Sequence, residues 1–591
     1  MKKRTRIASW LIAGMLALTP VASYSLTAYA VDYTITVNED TTGYTYKAYQ
    51  IFKAGDVVDK TVGEDTVKVL SDIDWADGFG ADAFLTALKG DDVFKVGDTN
   101  LFAEATTAND VANVLKNISE SDVEKLAEFA KLAKANIGSV PATTSTYNDE
   151  KSKYEINVTG CGYYLVEETA IPAGNPAGEN EVYSRFMMDV VGDATVEPKR
   201  EFPELDKKVT GPNVAEESAG KANSASIGDT VSYELTSAMP DRTGYSKYYY
   251  VINDTLASGL TFVPASVVVK INGATMTAGT DYEVQTGDDA APYTFQVVFT
   301  DFLDRPEAKG DSIVVTYDAV LNEKADRTSA GNLNTANLTY SNNPNENYGG
   351  TPPTGDEPGG DEPVGKTPNK QTKTYTANIV LTKTDGTNIL TGAKFKLEGT
   401  AAKCVLIDGT AFVKDNEHGT YYKLKKGTET VFTTTAPVDD ADAEANYDGT
   451  DKYSEVKNID STTTYENICL EAYVRDDGTL EFGGLGVGTY TLTELKAPQG
   501  FNLLASPITI EIKNDAATFA APAWTAKKDG AAIEMDNATA TAAFEVINNE
   551  GSTLPSTGGM GTKLFYLIGG LLVAGSGVVL VTKKRMSGVE K

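Results

Sequence analysis

The sequence is poor in the side chains on which most hydrolytic and metal centres are built. Its 591 residues include only three cysteines and one histidine. Histidine-based metal sites and hydrolases that need a histidine base are therefore disfavoured. The one histidine, His418, lies in the polar stretch DNEHGTYY, which predicts a solvated surface side chain.

Basic residues are also scarce. The chain has 52 Lys and Arg against 83 Asp and Glu, a formal net charge of -31. Binding of nucleic acid requires clustered Lys and Arg, so no nucleic-acid partner is expected. The acidic segment DDADAEANYDGTD lacks the spacing of an EF-hand loop and predicts a solvated loop, and neither a metal nor a cofactor is expected.

The amino-terminal segment has the pattern of a secretory signal peptide. Residues 1–30 combine four early cations, an apolar run from Ile7 to Val21 and the small-residue ending Ala28-Tyr29-Ala30. We expect cleavage after Ala30, and an uncleaved membrane anchor is the alternative. Export would place the chain where disulfides are allowed.

The carboxyl-terminal segment has three parts: the pentapeptide LPSTG, an apolar run from Leu564 to Val581 long enough for a transmembrane helix, and a short basic tail. The order resembles the cell-wall sorting signal of Gram-positive surface proteins. In that family the membrane transpeptidase sortase cleaves between Thr and Gly and joins the new carboxyl group to an amine. The resemblance assigns this motif to Leu554, Pro555, Ser556, Thr557 and Gly558. An ordinary membrane anchor with a chance LPSTG is the alternative.

Length and hydrophobic content, 41% of residues, favour several packed domains. Patterning predicts a mainly β chain with tandem immunoglobulin-like (Cna-type) β-sandwich domains and an α+β decorated N-terminal domain. The expected segments are a signal peptide (1–30), an N-terminal domain (31–198), a second domain (199–343), a Pro/Gly/acid-rich linker (344–373), a third domain (374–552) and the sorting segment (553–591).

The first domain should contain both helices and strands. Helices are expected from Asp82 to Lys89 and from Ser119 to Asn136, with Ser119 as the cap of the second. Alternating residues predict five strands: 33–37, 44–52, 154–158, 162–167 and 185–191.

A lysine follows this domain in the stretch VVGDATVEPKR. Glu197-Pro198-Lys199 resembles the pilin motif of Gram-positive shaft pilins, which ends in Tyr-Pro-Lys, with Glu in place of Tyr. In that family the lysine amine attacks the thioester that sortase forms with the preceding subunit. Pro198 lacks an N–H and helps to keep Lys199 off a sheet ladder. A plain interdomain lysine is the alternative.

The second domain resembles the D2 domain of fimbrial shaft subunits through FPELDKKV, YYYVINDTLASGLTF and GNLNTANLTYSNNPN. In that family a Lys on the first strand bonds covalently to an Asn on the last, aided by a carboxyl group. The resemblance assigns Lys207 (alternative Lys208), Asn342 (alternative Asn343) and Asp254. Strand alternation places Asn342 on the same face as Ala336, Leu338 and Tyr340.

The third domain resembles the Cna-B-type sandwich of wall-anchored proteins, through NIVLTKTDGTNILTGAKFKLEG, GVGTYTLTELKAPQGFNLL and FEVINNEGS. The resemblance assigns its isopeptide residues to Lys383, Asn548 and Glu494. It also implies a disulfide between Cys404 and Cys469, two buried free thiols being the alternative.

The first domain offers a weaker parallel. GYYLVEE aligns with TYTLTEL of the third domain, which places Glu167 over Glu494 and suggests Lys47 as the amine. The end of the domain offers Asp193 and no Asn, so a third bond would join Lys47 to Asp193.

Burial accounts for the chemistry that these sets imply. An apolar site lowers the pKa of a lysine and raises that of a carboxylic acid, so an unprotonated amine can meet a protonated acid. The acid polarises the carboxamide, the amine attacks it and ammonia leaves. A buried salt bridge at each Lys and acid is the alternative.

Together the resemblances imply the structural shaft subunit of a covalently polymerised pilus on the cell surface, joined from Thr557 of one copy to Lys199 of the next. The implied partners are sortase, further copies of the chain, tip and base pilins and peptidoglycan. A monomeric wall-anchored adhesin that binds a host or matrix ligand is the alternative, and a wall-anchored enzyme lacks a supporting constellation.

Overall fold

Three sandwich-like domains follow one another along the chain, as predicted. The computed structural model describes residues 32–62, 65–119, 121–172, 182–198, 202–287, 292–346, 363–399, 405–408, 411–414, 416–426, 429–456, 471–551 and 560–586. Strands dominate each domain and helices are concentrated in the first, which confirms the predicted fold class.

The first domain has two main sheets, in the orders β11-β1-β8-β7 and β10-β9-β2-β3. Its strands are β1 (Asp32–Val37), β2 (Thr45–Val62), β3 (Asp65–Trp75), β4 (Lys95–Val96), β5 (Thr99–Asn100), β6 (Thr143–Thr144), β7 (Thr146–Asn148), β8 (Lys153–Thr159), β9 (Gly162–Ala170), β10 (Arg185–Val190) and β11 (Ala194–Val196). β1 pairs in parallel with β11, so the two ends of the domain lie side by side.

Three helices cover the second of these sheets: α1 (Ala81–Gly90), α2 (Ala108–Leu115) and α3 (Val123–Ala135). Ser119 was the wrong cap for α3, because Asp122 accepts the hydrogen bond from the Lys125 N–H. The sequence analysis missed α2, whose start has a reciprocal capping box between Thr107 and Asp110. That Thr-x-x-Asp spacing was the available signal.

The second domain is a sandwich of the sheets β12-β14-β20-β16-β17 and β13-β23-β21-β15-β19-β18, with β22 also paired to β21. Its strands are β12 (Asp206–Gly211), β13 (Ala222–Ser224), β14 (Thr230–Ala238), β15 (Tyr250–Leu256), β16 (Leu260–Ile271), β17 (Ala274–Thr275), β18 (Tyr282–Thr286), β19 (Phe295–Phe299), β20 (Ser312–Leu321), β21 (Asn332–Ser341), β22 (Val364–Lys366) and β23 (Lys370–Tyr375). Buried and partly buried residues alternate along β20, as expected for a strand with one face in a core.

Part of the predicted linker 344–373 belongs to this sandwich. β22 and the start of β23 lie in that range, and both pair antiparallel with β21. Their Thr and Val residues can extend a sheet, whereas the Pro/Gly/acid composition of the whole range suggested only a connector. The second domain therefore reaches Tyr375, and only Thr376 separates β23 from the next strand.

The third domain has the sheets β26-β32-β24-β38-β37 and β31-β25-β33-β34-β35-β36, with a separate small sheet β27-β30-β28-β29. Its elements are β24 (Ala377–Thr384), β25 (Lys394–Gly399), β26 (Val405–Asp408), β27 (Ala411–Lys414), β28 (Tyr421–Lys426), β29 (Glu429–Thr433), α4 (Asp440–Asn446), β30 (Tyr447–Val456), β31 (Glu471–Tyr473), β32 (Thr479–Leu485), β33 (Gly488–Lys496), β34 (Ile508–Lys513), β35 (Thr525–Lys528), β36 (Ala531–Ile533), β37 (Met535–Asp536) and β38 (Thr541–Ile547). The acidic segment predicted as a loop instead forms α4, capped by Asp439, and the start of β30.

A last helix, α5 (Met560–Met586), follows the third domain. Within the described part of the chain, no helix has the length and apolarity needed to cross a membrane, so the predicted transmembrane segment is not supported.

Arg185 connects the first two domains. Its guanidinium donates to the Pro344 carbonyl at 2.8 Å and to the Gly244 carbonyl at 3.1 Å. Burial lowers the pKa of Arg185 to about 10, so the group stays charged at neutral pH. The Tyr183 N–H also donates to the Asn342 carbonyl at 2.8 Å. Asn342 therefore lies at the contact between the two domains.

Candidate cross-link sites and the polymerisation lysine

A buried cluster of polar side chains lies between the two sheets of the second domain. Lys207 comes from β12 and Asp254 from β15, and the Lys207 Nζ donates to Asp254 Oδ2 at 2.5 Å. Tyr317 from β20 joins them, because its hydroxyl accepts from Lys207 Nζ at 2.6 Å and donates to Asp254 Oδ2 at 2.6 Å. Asn334 from β21 completes the cluster, donating from Nδ2 to the Tyr317 hydroxyl at 2.8 Å.

All charged members of this cluster are fully buried. Lys207 and Asp254 each have 0% exposed surface. Burial lowers the pKa of Lys207 and raises the pKa of Asp254, because the low-dielectric interior penalises both charged forms. Proton transfer from the amine to the acid would leave a neutral, nucleophilic amine beside a neutral acid. This is the pKa arrangement expected for condensation with an amide.

Two aromatic rings enclose the lysine amine. The rings of Tyr233 and Tyr317 each lie with their centroids 5.2 Å from Lys207 Nζ, and they stack on each other at 5.1 Å. The rings keep bulk solvent from the amine, and they also favour its charged form through cation–π attraction.

The asparagine that the structure brings close to Lys207 is Asn334. The sequence-based choices, Asn342 and Asn343, lie too far along the chain from β21 to reach Lys207. β21 pairs with β15 so that Ala336 lies opposite Asp254. Asn342 follows the end of β21, roughly 20 Å beyond that point at strand spacing. The alternation argument was sound, because Asn334 lies on the same face as Asn342, but alternation does not give position along the strand.

Lys208 is excluded as the reacting amine in this sandwich. It is exposed on β12, whereas Lys207 and Val209 on either side of it are buried. One step along a strand reverses the direction of the side chain, so only Lys207 of the two lysines enters the core.

The third domain brings its three predicted residues together. Lys383 is on β24, which runs parallel to β38 with Lys383 opposite Val546. Its Nζ donates to the Val546 carbonyl at 2.8 Å, and burial lowers its pKa. Asn548 follows β38 and donates from Nδ2 to both carboxylate oxygens of Glu494, each at 2.9 Å.

The two candidate asparagines share a feature with several other buried asparagines, Asn342 among them. Oδ1 of Asn334 and Oδ1 of Asn548 are both buried, and no hydrogen bond reaches either oxygen among the described contacts. A buried polar atom without a partner typically costs about 1–3 kcal/mol. In each cluster, the unpartnered atom belongs to the carbonyl that a lysine amine would attack.

The first domain does not form the third set. Asp193 is exposed and accepts from the Thr34 N–H at 2.9 Å, on the sheet that does not contain Lys47. Glu167 lies opposite Lys47 in the β2–β9 pairing, yet its carboxylate forms its ion pair with Lys134 of α3. The prediction of a Lys47–Asp193 bond was therefore wrong, because pairing of β1 with β11 fixes Asp193 elsewhere.

The segment around the predicted polymerisation lysine is described up to Pro198. Glu197, an exposed residue directly after β11, accepts a hydrogen bond from Asn38. A cavity of about 860 Å³ opens where the chain resumes, lined by Phe202, Asp206, Tyr248 and residues of both flanking domains. Several predicted residues lie outside the described residues: Ala30, Lys199, Cys404, Cys469, Leu554, Pro555, Ser556, Thr557 and Gly558.

The other functional expectations concern metal and histidine. Among the described residues, no group of three or more His, Cys, Asp or Glu side chains is arranged to hold a metal ion. His418 is an exposed side chain, as predicted.

Three family models match separate parts of the chain. Residues 227–344 match the Gram-positive pilin backbone subunit 2, Cna-B-like domain. Residues 377–523 match the SpaA prealbumin-like fold domain, and residues 547–587 match the LPXTG cell wall anchor motif.

Similar proteins extend over most of the chain. The fimbrial subunit type 1 of Actinomyces viscosus is 26% identical over 458 residues, 72% of this chain and 74% of that protein. The trypsin-resistant surface T6 protein of Streptococcus pyogenes serotype M6 is 26% identical over 464 residues, 75% of this chain and 80% of that protein. The solved T6 backbone pilin of that serotype aligns with 89% of this chain and 100% of its own at 16% identity, with a TM-score of 0.49.

The family models and the fimbrial relatives agree with the resemblances found in the sequence. They identify this chain as a Gram-positive pilus backbone subunit with an LPXTG cell-wall anchor, located on the cell surface.

Proposed function

We propose that the chain is the shaft subunit of a covalently polymerised pilus. A sortase joins the carboxyl group of Thr557 in one copy to the amine of Lys199 in the next, and tip and base pilins complete the fibre. Thr557 lies within the matched wall-anchor segment, and Lys199 directly follows the exposed end of the first domain. The chain is a substrate of sortase and not itself an enzyme with external substrates.

We further propose two intramolecular isopeptide bonds, Lys207–Asn334 and Lys383–Asn548. The observation that carries this proposal is that two sandwiches each hold a buried amine, carboxyl group and carboxamide on separate strands. Folding brings these groups together at high effective concentration, which can replace several kcal/mol of activation entropy. The reaction occurs once in each domain and uses no cofactor.

The chemistry is the same at both sites. A neutral lysine amine attacks the Cγ atom of the asparagine, the new C–N bond forms, and the carboxamide nitrogen leaves as ammonia. The carboxylic acid stabilises the developing charge on the carbonyl oxygen and holds or moves protons. In the third domain Glu494 already touches the nitrogen that leaves, through both of its oxygens.

The experiment that tests both bonds is the intact mass of the secreted ectodomain produced without its sorting segment, which cannot be polymerised by sortase. We expect the mass to be lower than the sequence mass by two ammonias, with peptide mapping that joins Lys207 to Asn334 and Lys383 to Asn548. An unshifted mass would contradict the isopeptide proposal and would leave buried ion pairs as the interpretation.

Glu494→Ala is expected to block the third-domain bond alone. The alanine cannot polarise the Asn548 carboxamide or supply a proton to its nitrogen. The measured mass should therefore exceed, by one ammonia, the mass calculated for the variant sequence with both bonds formed. The matched control is Glu398→Ala, which removes an exposed carboxylate from β25 of the same domain. A chain with Glu494→Ala that still loses two ammonias would contradict the assigned role.

A further inference from the structure

The two candidate cross-link sites differ in how the carboxylic acid reaches the asparagine. In the third domain, Glu494 contacts Asn548 Nδ2 directly. In the second domain, the described hydrogen bonds link Asp254 to Asn334 only through the Tyr317 hydroxyl. Aspartate is one methylene shorter than glutamate, and the tyrosine hydroxyl fills the space between acid and amide.

The Tyr317 oxygen therefore contacts every reacting group of the second-domain cluster. It lies 2.6 Å from the nucleophile Lys207 Nζ, 2.8 Å from Asn334 Nδ2 and 2.6 Å from Asp254 Oδ2. A hydroxyl can accept one proton while it donates another, which a carboxylate that touches only the amine cannot do for the leaving nitrogen. We propose that Tyr317 is a catalytic residue that relays a proton from Lys207 to the departing nitrogen of Asn334. This proposal rests on the Lys207–Asn334 bond proposed above.

The protons balance as follows. Lys207 first gives one proton to Asp254, which leaves a neutral amine and a neutral acid. When Nζ bonds to the Asn334 Cγ atom, a second Nζ proton passes to the Tyr317 oxygen. The hydroxyl proton, which the now protonated Asp254 no longer accepts, turns to Nδ2 and passes to its lone pair. The Cγ–Nδ2 bond then breaks and ammonia departs. The ammonia can take the proton that Asp254 holds, so the products are the amide, an ammonium ion and the aspartate carboxylate.

The surroundings of Tyr317 favour a concerted transfer over a phenolate intermediate. Burial raises the pKa of Tyr317 well above its usual value of 10. The hydroxyl thus stays neutral before and after the transfer. Its ring is fixed by stacking on Tyr233 at 5.1 Å and by an edge contact with Phe295 at 4.8 Å.

Tyr317→Phe tests the relay, because it keeps the ring and removes the oxygen. Cells that produce the full chain are pulse-labelled and quenched in denaturant at intervals, and the Lys207–Asn334 peptide is quantified by mass spectrometry. General acid–base catalysis typically contributes about 10²–10⁴-fold, so we expect bond formation to slow by about 100-fold or more. The Lys383–Asn548 bond in the same chain should form at the wild-type rate, which verifies export and folding.

Tyr250→Phe is the control. It removes a buried tyrosine hydroxyl from the core of the same domain, and that hydroxyl bonds to Ser237 Oγ at 2.7 Å and, among the described hydrogen bonds, to no member of the Lys207 cluster. This variant should form the second-domain bond at the normal rate. Adding Asp254→Glu to the Tyr317→Phe chain should restore the bond in part, because the longer acid can reach Asn334 as Glu494 reaches Asn548.

The possible outcomes distinguish failure of the Tyr317 relay from failure of the Lys207–Asn334 bond on which it rests. Absence of the Lys207–Asn334 peptide in the wild-type chain would contradict the proposed bond itself. A wild-type bond that forms equally fast with Tyr317→Phe would overturn only the relay. If the variant fails to fold, the wild-type chain is tested instead, by comparing the rate of each bond's formation in heavy and in ordinary water. A larger slowing of the Lys207–Asn334 bond than of the Lys383–Asn548 bond supports the relay, and equal slowing overturns it.

Discussion

Lys199→Ala is expected to abolish the covalent polymer. The wall fraction of cells that carry the variant should show a single band near the monomer on a denaturing gel, in place of a ladder of large, heat- and detergent-resistant species. The reason is chemical: a sortase thioester on Thr557 requires an amine, and alanine supplies none. The measurement is an immunoblot of enzymatically released wall material.

Lys208→Ala is the control for this experiment. Lys208 is an exposed lysine close to Lys199 in the chain, and its side chain lies on the face of β12 that points away from the core. Its ladder should match that of the wild type. A ladder that persists with Lys199→Ala would assign the amine to another lysine. A wild-type chain found only as a monomer would favour the wall-anchored adhesin, and the search would turn to a host ligand.

Asn334→Ala is expected to remove the second-domain cross-link and to lower the stability of that domain strongly. A cross-link restricts the unfolded chain, and the chain-entropy treatment of a loop of about 100 residues gives about 4.7 kcal/mol. For a domain of this size that corresponds to a fall in Tm of roughly 10–20 °C. The mass should also exceed that expected for a chain with two bonds by one ammonia. Calorimetry and intact mass measure the two effects.

Asn342→Ala separates the structural assignment from the sequence-based one. The side chain of Asn342 is buried at the contact between the first two domains, far from Lys207, so this substitution should leave both ammonias lost. A chain that retains an ammonia with Asn342→Ala and loses both with Asn334→Ala would reverse the assignment.

In the third domain, sequence reasoning chose a Lys, a Glu and an Asn from short recognisable motifs at the ends of strands, and the bond between them stays a prediction. In the second domain it chose Lys207 and Asp254, which the structure places in contact, and did not select Asn334, since GNLNTANLTYSNN offers several asparagines of the same parity. Only the register of β21 against β15 selects among them. Tyr317 could not be found at all, because nothing in the sequence pairs β20 with the face that carries Lys207.

The same limit explains the other differences. β22 and β23 lie in a stretch whose composition suggests a connector, and their pairing with β21 depends on an edge that the local sequence does not reveal. The Lys47–Asp193 proposal failed for the same reason. The motif alignment placed Glu167 correctly in its strand, but α3 supplies Lys134 as its partner.

The direct passage from β23 into β24 determines how a pulled fibre would lengthen. Tension that enters at Lys199 would reach Lys207 and cross by its bond to Asn334, and later cross from Lys383 to Asn548. The first domain precedes Lys199 in the chain, so it would lie outside the path of tension and bear no load. Between the two cross-links, the chain from Asn334 to Lys383 would remain free to unravel, by peeling β23 and β22 from β21. Its roughly fifty residues at about 3.3 Å each would span roughly 160 Å when fully extended, and the reserve of each subunit is that length less the distance already spanned in the fold.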